Sequence, residues 1–192
     1  VVGVHALGET EGRPYLVMEH VPGITLSRFV RERGELLRPE EVLAILDQVC
    51  RGVSAIHAAG LVHRDLKPAN VLIGPAFRIV VSDLGLTHRV GQGTTSWGTP
   101  GYTAPELISG EPPPAELARR VDVYAIGAMA YELFTGQLPF GSQAEWAFAM
   151  VDRRAPPLPS ALRPALGTAL DAHVLEALAW SPEMRTASVD AL

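Results

Sequence analysis

Residues 39–60, PEEVLAILDQVCRGVSAIHAAG, carry Val42, Leu46, Val49, Val53 and Ile56 at successive spacings of four, three, four and three. That period puts five apolar side chains on one helical face, with Pro39 in the first turn and Gly60 just beyond the end. The segments after Gly60 leave the chain little freedom. A tight polar segment, HRDLKPAN (63–70), leads into two short β-prone runs, NVLI (70–73) and RIVVS (78–82), joined by GPAF. Helix, loop and strands in that order put Asp65 on a junction loop, Asn70 five residues on, and Asp83 at the end of the second strand in SDLG.

Lys67, in the middle of that loop, is the only lysine among 16 Lys and Arg residues; the rest are arginine. Lysine brings a compact, flexible positive charge that reaches a phosphoryl oxygen, whereas arginine offers a wide planar fork. Two carboxylates and an amide at strand ends make an all-oxygen environment suited to Mg²⁺, which shares its ligands with phosphates. These are parts for phosphoryl transfer, a chemistry of positioning and charge neutralisation.

The rest of the chain predicts an α+β domain, mostly helical, with a few short strands near its N-terminal end. Residues 1–8 and 13–21 read as two antiparallel strands around a turn at ETEG (9–12). VDVYAIGAMAYELF (121–134), interrupted by Asp122 and Glu132, falls short of the ~20 residues that span a bilayer and predicts a buried core helix. Further helices are expected at 142–151 and 166–180, on either side of a Pro-rich connector at 155–164. Residues 85–114, rich in Gly, Thr and Pro, show no period, and irregular stretches of that length are usually functional.

At 192 residues, 47% hydrophobic and 19% charged, the chain predicts one folded domain. A net charge of −5 without a basic run argues against a nucleic-acid partner. The single cysteine, Cys50, excludes a disulfide framework and a metal cluster built on thiolates. No signal peptide or membrane segment is present, so a cytoplasmic setting is expected, although a tether outside these residues is compatible with it. The chain opens in strand-like sequence without an initiator methionine, which predicts a fragment whose beginning is missing.

Three ordered motifs now stand together: His63-Arg64-Asp65-Leu66-Lys67-Pro68-Ala69-Asn70, then Asp83-Leu84-Gly85, then Ala104-Pro105-Glu106. In order and spacing the chain resembles eukaryotic-like, bacterial-type serine/threonine protein kinase domains. The resemblance implies the protein-kinase-like fold, with remnant N-lobe strands and hinge at 1–21 and the C-lobe at 22–192. It implies ATP and Mg²⁺ as cofactors, and protein substrates with Ser or Thr acceptors. By the same resemblance Asp65 orients the substrate hydroxyl, Lys67 meets the γ-phosphoryl group, and Asn70 and Asp83 hold metal. VMEHV (17–21) resembles the hinge, with Met18 as gatekeeper, the backbone of Glu19 and Val21 facing adenine, and Leu72 beneath the ring. His63 and Leu84 match packing positions, Asp122 would cap the catalytic-loop backbone, and Glu106 would pair with Arg185.

Residues 83–106 resemble an activation segment, with Thr94, Thr95 and Ser96 as phosphorylation candidates and Arg64 as phosphate receiver. Thr99 is expected to support Asp65 and Lys67. The family's Gly-rich loop, strand lysine and helix glutamate have no counterpart in these 192 residues. The sequence therefore predicts weak or no phosphotransfer by this piece alone. A non-catalytic binding or scaffold module is the alternative; an aminoglycoside-type phosphotransferase is disfavoured by the APE segment and the long loop before it.

Overall fold

The computed structural model describes residues 1–84, the backbone of 88–89, and residues 99–108 and 113–192. Strands β1 (Val4–Thr10) and β2 (Arg13–Met18) form an antiparallel hairpin whose register runs from Thr10↔Arg13 through Leu7↔Leu16 to Val4↔Met18. The two turn residues, Glu11 and Gly12, have φ of 50° and 72°, the left-handed pair that matches hairpin twist. The turn is therefore tighter than ETEG, and Glu9 and Thr10 belong to the strand. Both faces of the hairpin are open, with Leu7 76% exposed.

Short strand β3 (Ile24–Thr25) leads directly into α1 (Leu26–Arg33), where Thr25 Oγ1 accepts from the Arg28 amide at 3.2 Å as N-cap. Helix α2 (Pro39–Ala58) comes next. Glu41 reaches back to the Arg38 amide at 2.8 Å, and Gly60, at φ 74°, ends the turn beyond the helix. Its buried face is the one the spacing predicts, with Ile45 and His57 added.

β4 (Leu61–Val62), β5 (Val71–Ile73), β6 (Ile79–Val81) and β7 (His88–Arg89) complete the strands. β3, β5 and β6 form one antiparallel sheet in the order β3-β5-β6, and β4 pairs with β7. A one-turn helix α3 (Pro105–Ile108) precedes α4 (Arg120–Thr135), of which thirteen residues from Val121 to Phe134 are buried. α5 (Gln143–Asp152), α6 (Pro159–Leu162) and α7 (Ala169–Ala177) close the chain.

α4 is the axis of the core. It packs on α2 and α7, while α2 backs β6. Gly127 permits the close approach to α7, since a Cβ there would lie 2.7 Å from that of Ala177. The fully buried side chains Tyr124, Met129, Tyr131 and Phe134 meet Val42, Ile45 and Val49 of α2 in one continuous cluster. This places the β4–β5 loop, residues 63–70, between the start of α4 and the end of β6.

Candidate active site

Three features hold the 63–70 loop in shape. Asp122, fully buried at the start of α4, accepts from the backbone amides of His63 (Oδ2) and Arg64 (Oδ1), each at 2.9 Å. His57 Nε2 lies 2.8 Å from the same Asp122 Oδ2, tying the end of α2 to the knot. Arg64 sits at φ 70°, a left-handed conformation that a side chain adopts only where its surroundings fix it. The Asp122 carboxylate supplies that fixing. Burial also pulls the Arg64 guanidinium below its ordinary pKa, opposed by the charge of Asp122.

His63 is wholly buried and bridges two segments. Its Nδ1 accepts from the Asp65 amide at 3.3 Å and its Nε2 is 3.0 Å from the Ser82 carbonyl. An amide can only donate, so the network assigns the ring proton to Nε2, which then donates to Ser82. Ser82 in turn donates from its amide and hydroxyl to the Asn70 carbonyl, at 2.9 and 3.1 Å. The loop and the end of β6 are thus one hydrogen-bonded unit, and Asp83 comes immediately after it.

On this frame the polar side chains converge. Asp65 Oδ2 accepts from Lys67 Nζ at 2.8 Å and Asn70 Nδ2 at 3.0 Å, while Oδ1 accepts from Thr99 Oγ1 at 3.0 Å. Lys67 also donates to Thr99 Oγ1 at 2.6 Å, and Asn70 Nδ2 to the Asp65 carbonyl at 2.7 Å. Asp65 is nearly buried, whereas Asp83, at φ 61°, is exposed. Thr99 reaches across from the segment that ends in α3, linking the 63–70 loop and the downstream loop through 34 positions of sequence.

The downstream loop has two further anchors. Glu106 receives a two-pronged contact from Arg185, both prongs 2.7 Å long. Tyr102 donates to Glu132 Oε2 of α4 at 2.5 Å. Burial, the largest influence on each, raises the pKa of both groups, and their mutual contact raises Tyr102 further. Sequence reasoning missed this pair and the His57 contact, because their partners lie 30 and 65 residues apart.

Of the residues expected near a nucleotide, Val21 and Leu72 come together with Val2 and Val80 in a small apolar cluster. The Glu19 amide donates to the Gly3 carbonyl at 2.7 Å, and Met18, at the end of β2, is 46% exposed. Leu84 is half-buried against the main core. Thr94, Thr95, Ser96 and Gly85 lie outside the described residues. Among the described residues no three His, Cys, Asp or Glu side chains group as a metal cage, and no helix is long and apolar enough to cross a membrane.

Residues 1–162 match the Protein kinase domain family model. The chain is 38% identical to serine/threonine-protein kinase Pkn1 of Myxococcus xanthus, over all of this chain and 28% of that protein. It is 34% identical to serine/threonine-protein kinase PknB of Mycobacterium tuberculosis and 36% identical to that of Mycolicibacterium smegmatis, in each case over 96% of this chain and 31% of the relative. The chain spans less than a third of the length of these curated relatives. With its helical core built on α4 and its short antiparallel strands, this α+β chain belongs to the protein kinase domain family.

Proposed function

We propose that these residues form the catalytic core of a serine/threonine protein kinase, moving the γ-phosphoryl group of ATP to Ser or Thr hydroxyls of proteins. The observation that supports this best is the carboxylate of Asp65 held by three donors, Lys67, Asn70 and Thr99, at 2.8 to 3.0 Å. Three fixed contacts leave the carboxylate no rotamer freedom, so it presents one orientation to an incoming hydroxyl. Asp65 then orients that hydroxyl and takes its proton, and Lys67 offers positive charge to the group being transferred. Residues 1–21 serve as part of the upper lobe and hinge, and 22–192 as the lower lobe.

A hard cation fits the donor set that remains. Asn70 spends its amide nitrogen on Asp65, so its carbonyl oxygen is the end left to coordinate. Asp83 is an exposed carboxylate two residues past β6, without a hydrogen-bond partner among the described residues. Two oxygens do not close a site, which suits Mg²⁺ shared with phosphate oxygens and water. When bound, such a cation neutralises phosphate charge. Asn70 and Asp83 are the residues proposed to hold it.

The Glu19 carbonyl and the Val21 amide have no hydrogen-bond partner among the described residues, an acceptor and a donor that suit the edge of adenine. Leu72, packed on Val21, supplies the apolar floor.

The test is label transfer from γ-labelled ATP to protein Ser and Thr by the gene's full-length product, with and without Mg²⁺. Asp65→Asn is expected to lower the rate roughly 10²- to 10⁴-fold. Transfer that survives this substitution undiminished sinks the assignment. The 192 residues assayed alone are expected to transfer weakly or not at all, since Lys67 is their only lysine and no Gly-rich loop is among them.

A further inference from the structure

Glu19, the first residue past β2, is held from two directions by groups remote in sequence. Its carboxylate accepts from the Gly3 amide at 3.2 Å and from both terminal nitrogens of Arg78, Nη1 at 2.6 Å and Nη2 at 3.3 Å. Its own amide donates to the Gly3 carbonyl at 2.7 Å. Arg78 is itself fixed by backbone bonds. Its amide donates to the Pro75 carbonyl at 3.1 Å, and its carbonyl accepts from the Gly74 amide at 2.8 Å. The turn between them puts Ala76 and Phe77 at φ of 53° and 59°, a costly conformation for residues with a Cβ.

What such an arrangement is for can be decided by magnitude. The side chains of Arg78 and Glu19 are 52% and 29% exposed, and ion pairs of that exposure add little to global stability. A two-pronged guanidinium contact nevertheless fixes orientation, which a point charge does not. The consequence of this pair is therefore local geometry at residues 19–21.

We infer that Arg78 is a positioning residue of the nucleotide site, holding the Glu19 carboxylate and thereby the backbone carbonyl of Glu19 and amide of Val21 in register for adenine. This rests on the proposed role of residues 19–21 in nucleotide binding. Arg78 touches neither phosphate nor metal in this scheme, and acts only through Glu19.

The experiment compares the gene's full-length product with its Arg78→Met and Arg78→Lys variants in amide hydrogen exchange, and in binding of Mg·ATP and of magnesium tripolyphosphate. Arg78→Met is expected to speed exchange at Gly3 and residues 19–21 and to weaken Mg·ATP roughly three- to tenfold, with tripolyphosphate binding and melting temperature unmoved. Arg78→Lys, with one contact in place of two, falls between. Unchanged exchange at 19–21, or equal weakening of both ligands, overturns the positioning role. If the unaltered full-length product binds neither ligand, the nucleotide reading itself fails, and faster exchange in Arg78→Met then marks Arg78 as a structural brace only, which also overturns the inference.

Discussion

Arg185 closes on Glu106 through two hydrogen bonds of 2.7 Å although 79 residues separate them. The guanidinium side chain is wholly buried and also donates to the carbonyls of Ala179, Arg120 and Trp180, over the ring of Tyr124. Removing one partner of such a pair leaves the other charge in a poorly solvated place. Arg185→Met is therefore expected to cost ~3–5 kcal/mol of unfolding free energy. Glu106→Gln, which keeps one acceptor, should cost ~1–3 kcal/mol. Urea unfolding measures both; a loss below ~1 kcal/mol for Arg185→Met shows that solvent replaces the pair.

Asp122 tests the 63–70 loop in the same way. Each of its oxygens accepts from a backbone amide, His63 on one side and Arg64 on the other. Asn in its place can offer only one oxygen and turns an N–H toward the second amide. One buried donor then loses its acceptor, at a cost of ~1–3 kcal/mol. Arg64 loses the contact that fixes its left-handed backbone. The expected readout is faster amide exchange confined to residues 63 and 64 in Asp122→Asn, with exchange in the middle of α2 scaling only with global stability.

How far these arrangements could be read from sequence depends on the range of the interaction. The α2 face was legible because its period is local, and the structure buries the same five residues. Asp65, Lys67 and Asn70 were legible because one short loop carries all three. Helix α1 was not: Leu26, Phe29 and Val30 do stand at i, i+3 and i+4 and pack on the core, but three apolar positions in eight residues are too short a run to set a period. The helix expected over 166–180 is shorter, Ala169–Ala177, because Leu166 ends a 3₁₀ turn and Gly167, at φ 65°, breaks the path. The Pro-rich connector likewise contains α6, with Pro159 at a first-turn position where its missing amide costs nothing. His57 and Glu132 show no local signal, as each matters only through a partner the fold delivers.

Lys67 carries the question of why this site uses lysine in a chain otherwise confined to arginine. Its ammonium lies 2.8 Å from Asp65 Oδ2 and 2.6 Å from Thr99 Oγ1 at once. A guanidinium is wider and planar, and engages two acceptors in its own plane. Lys67→Arg is expected to keep the Asp65 pair and displace Thr99, so the 99–103 segment should exchange faster while global stability shifts by less than ~1 kcal/mol. In the full-length product the rate of phosphate transfer should fall at least ~10-fold, a loss of ~1.4 kcal/mol in transition-state stabilisation. Full activity with arginine at 67 would show that charge alone is what the position supplies.

Glu132 gives a pH dependence of defined sign. Burial holds its carboxyl above the ordinary value of 4.5, opposed by the hydrogen bond from Tyr102, and the groups around it are the Tyr102 phenol and the guanidinium of Arg31 across a small surface pocket. A raised carboxyl pKa means that the folded state binds the proton more tightly than the unfolded chain. Its contribution to stability is thus complete below 4.5 and is lost as pH rises through the folded value. Glu132→Gln cannot titrate, so the variant should gain stability relative to the parent as pH rises above 4.5. Half-buried Glu41 moves the other way. Held to about 2 by the Arg38 amide and the Arg33 guanidinium, it contributes above 4.5 and loses that contribution as pH falls toward 2. Urea unfolding of parent and Glu132→Gln at pH values on both sides of 4.5 separates the two, because Glu41 is common to both proteins and cancels in their difference. A difference that stays flat with pH would mean that Glu132 ionises in the folded protein as easily as in the unfolded chain.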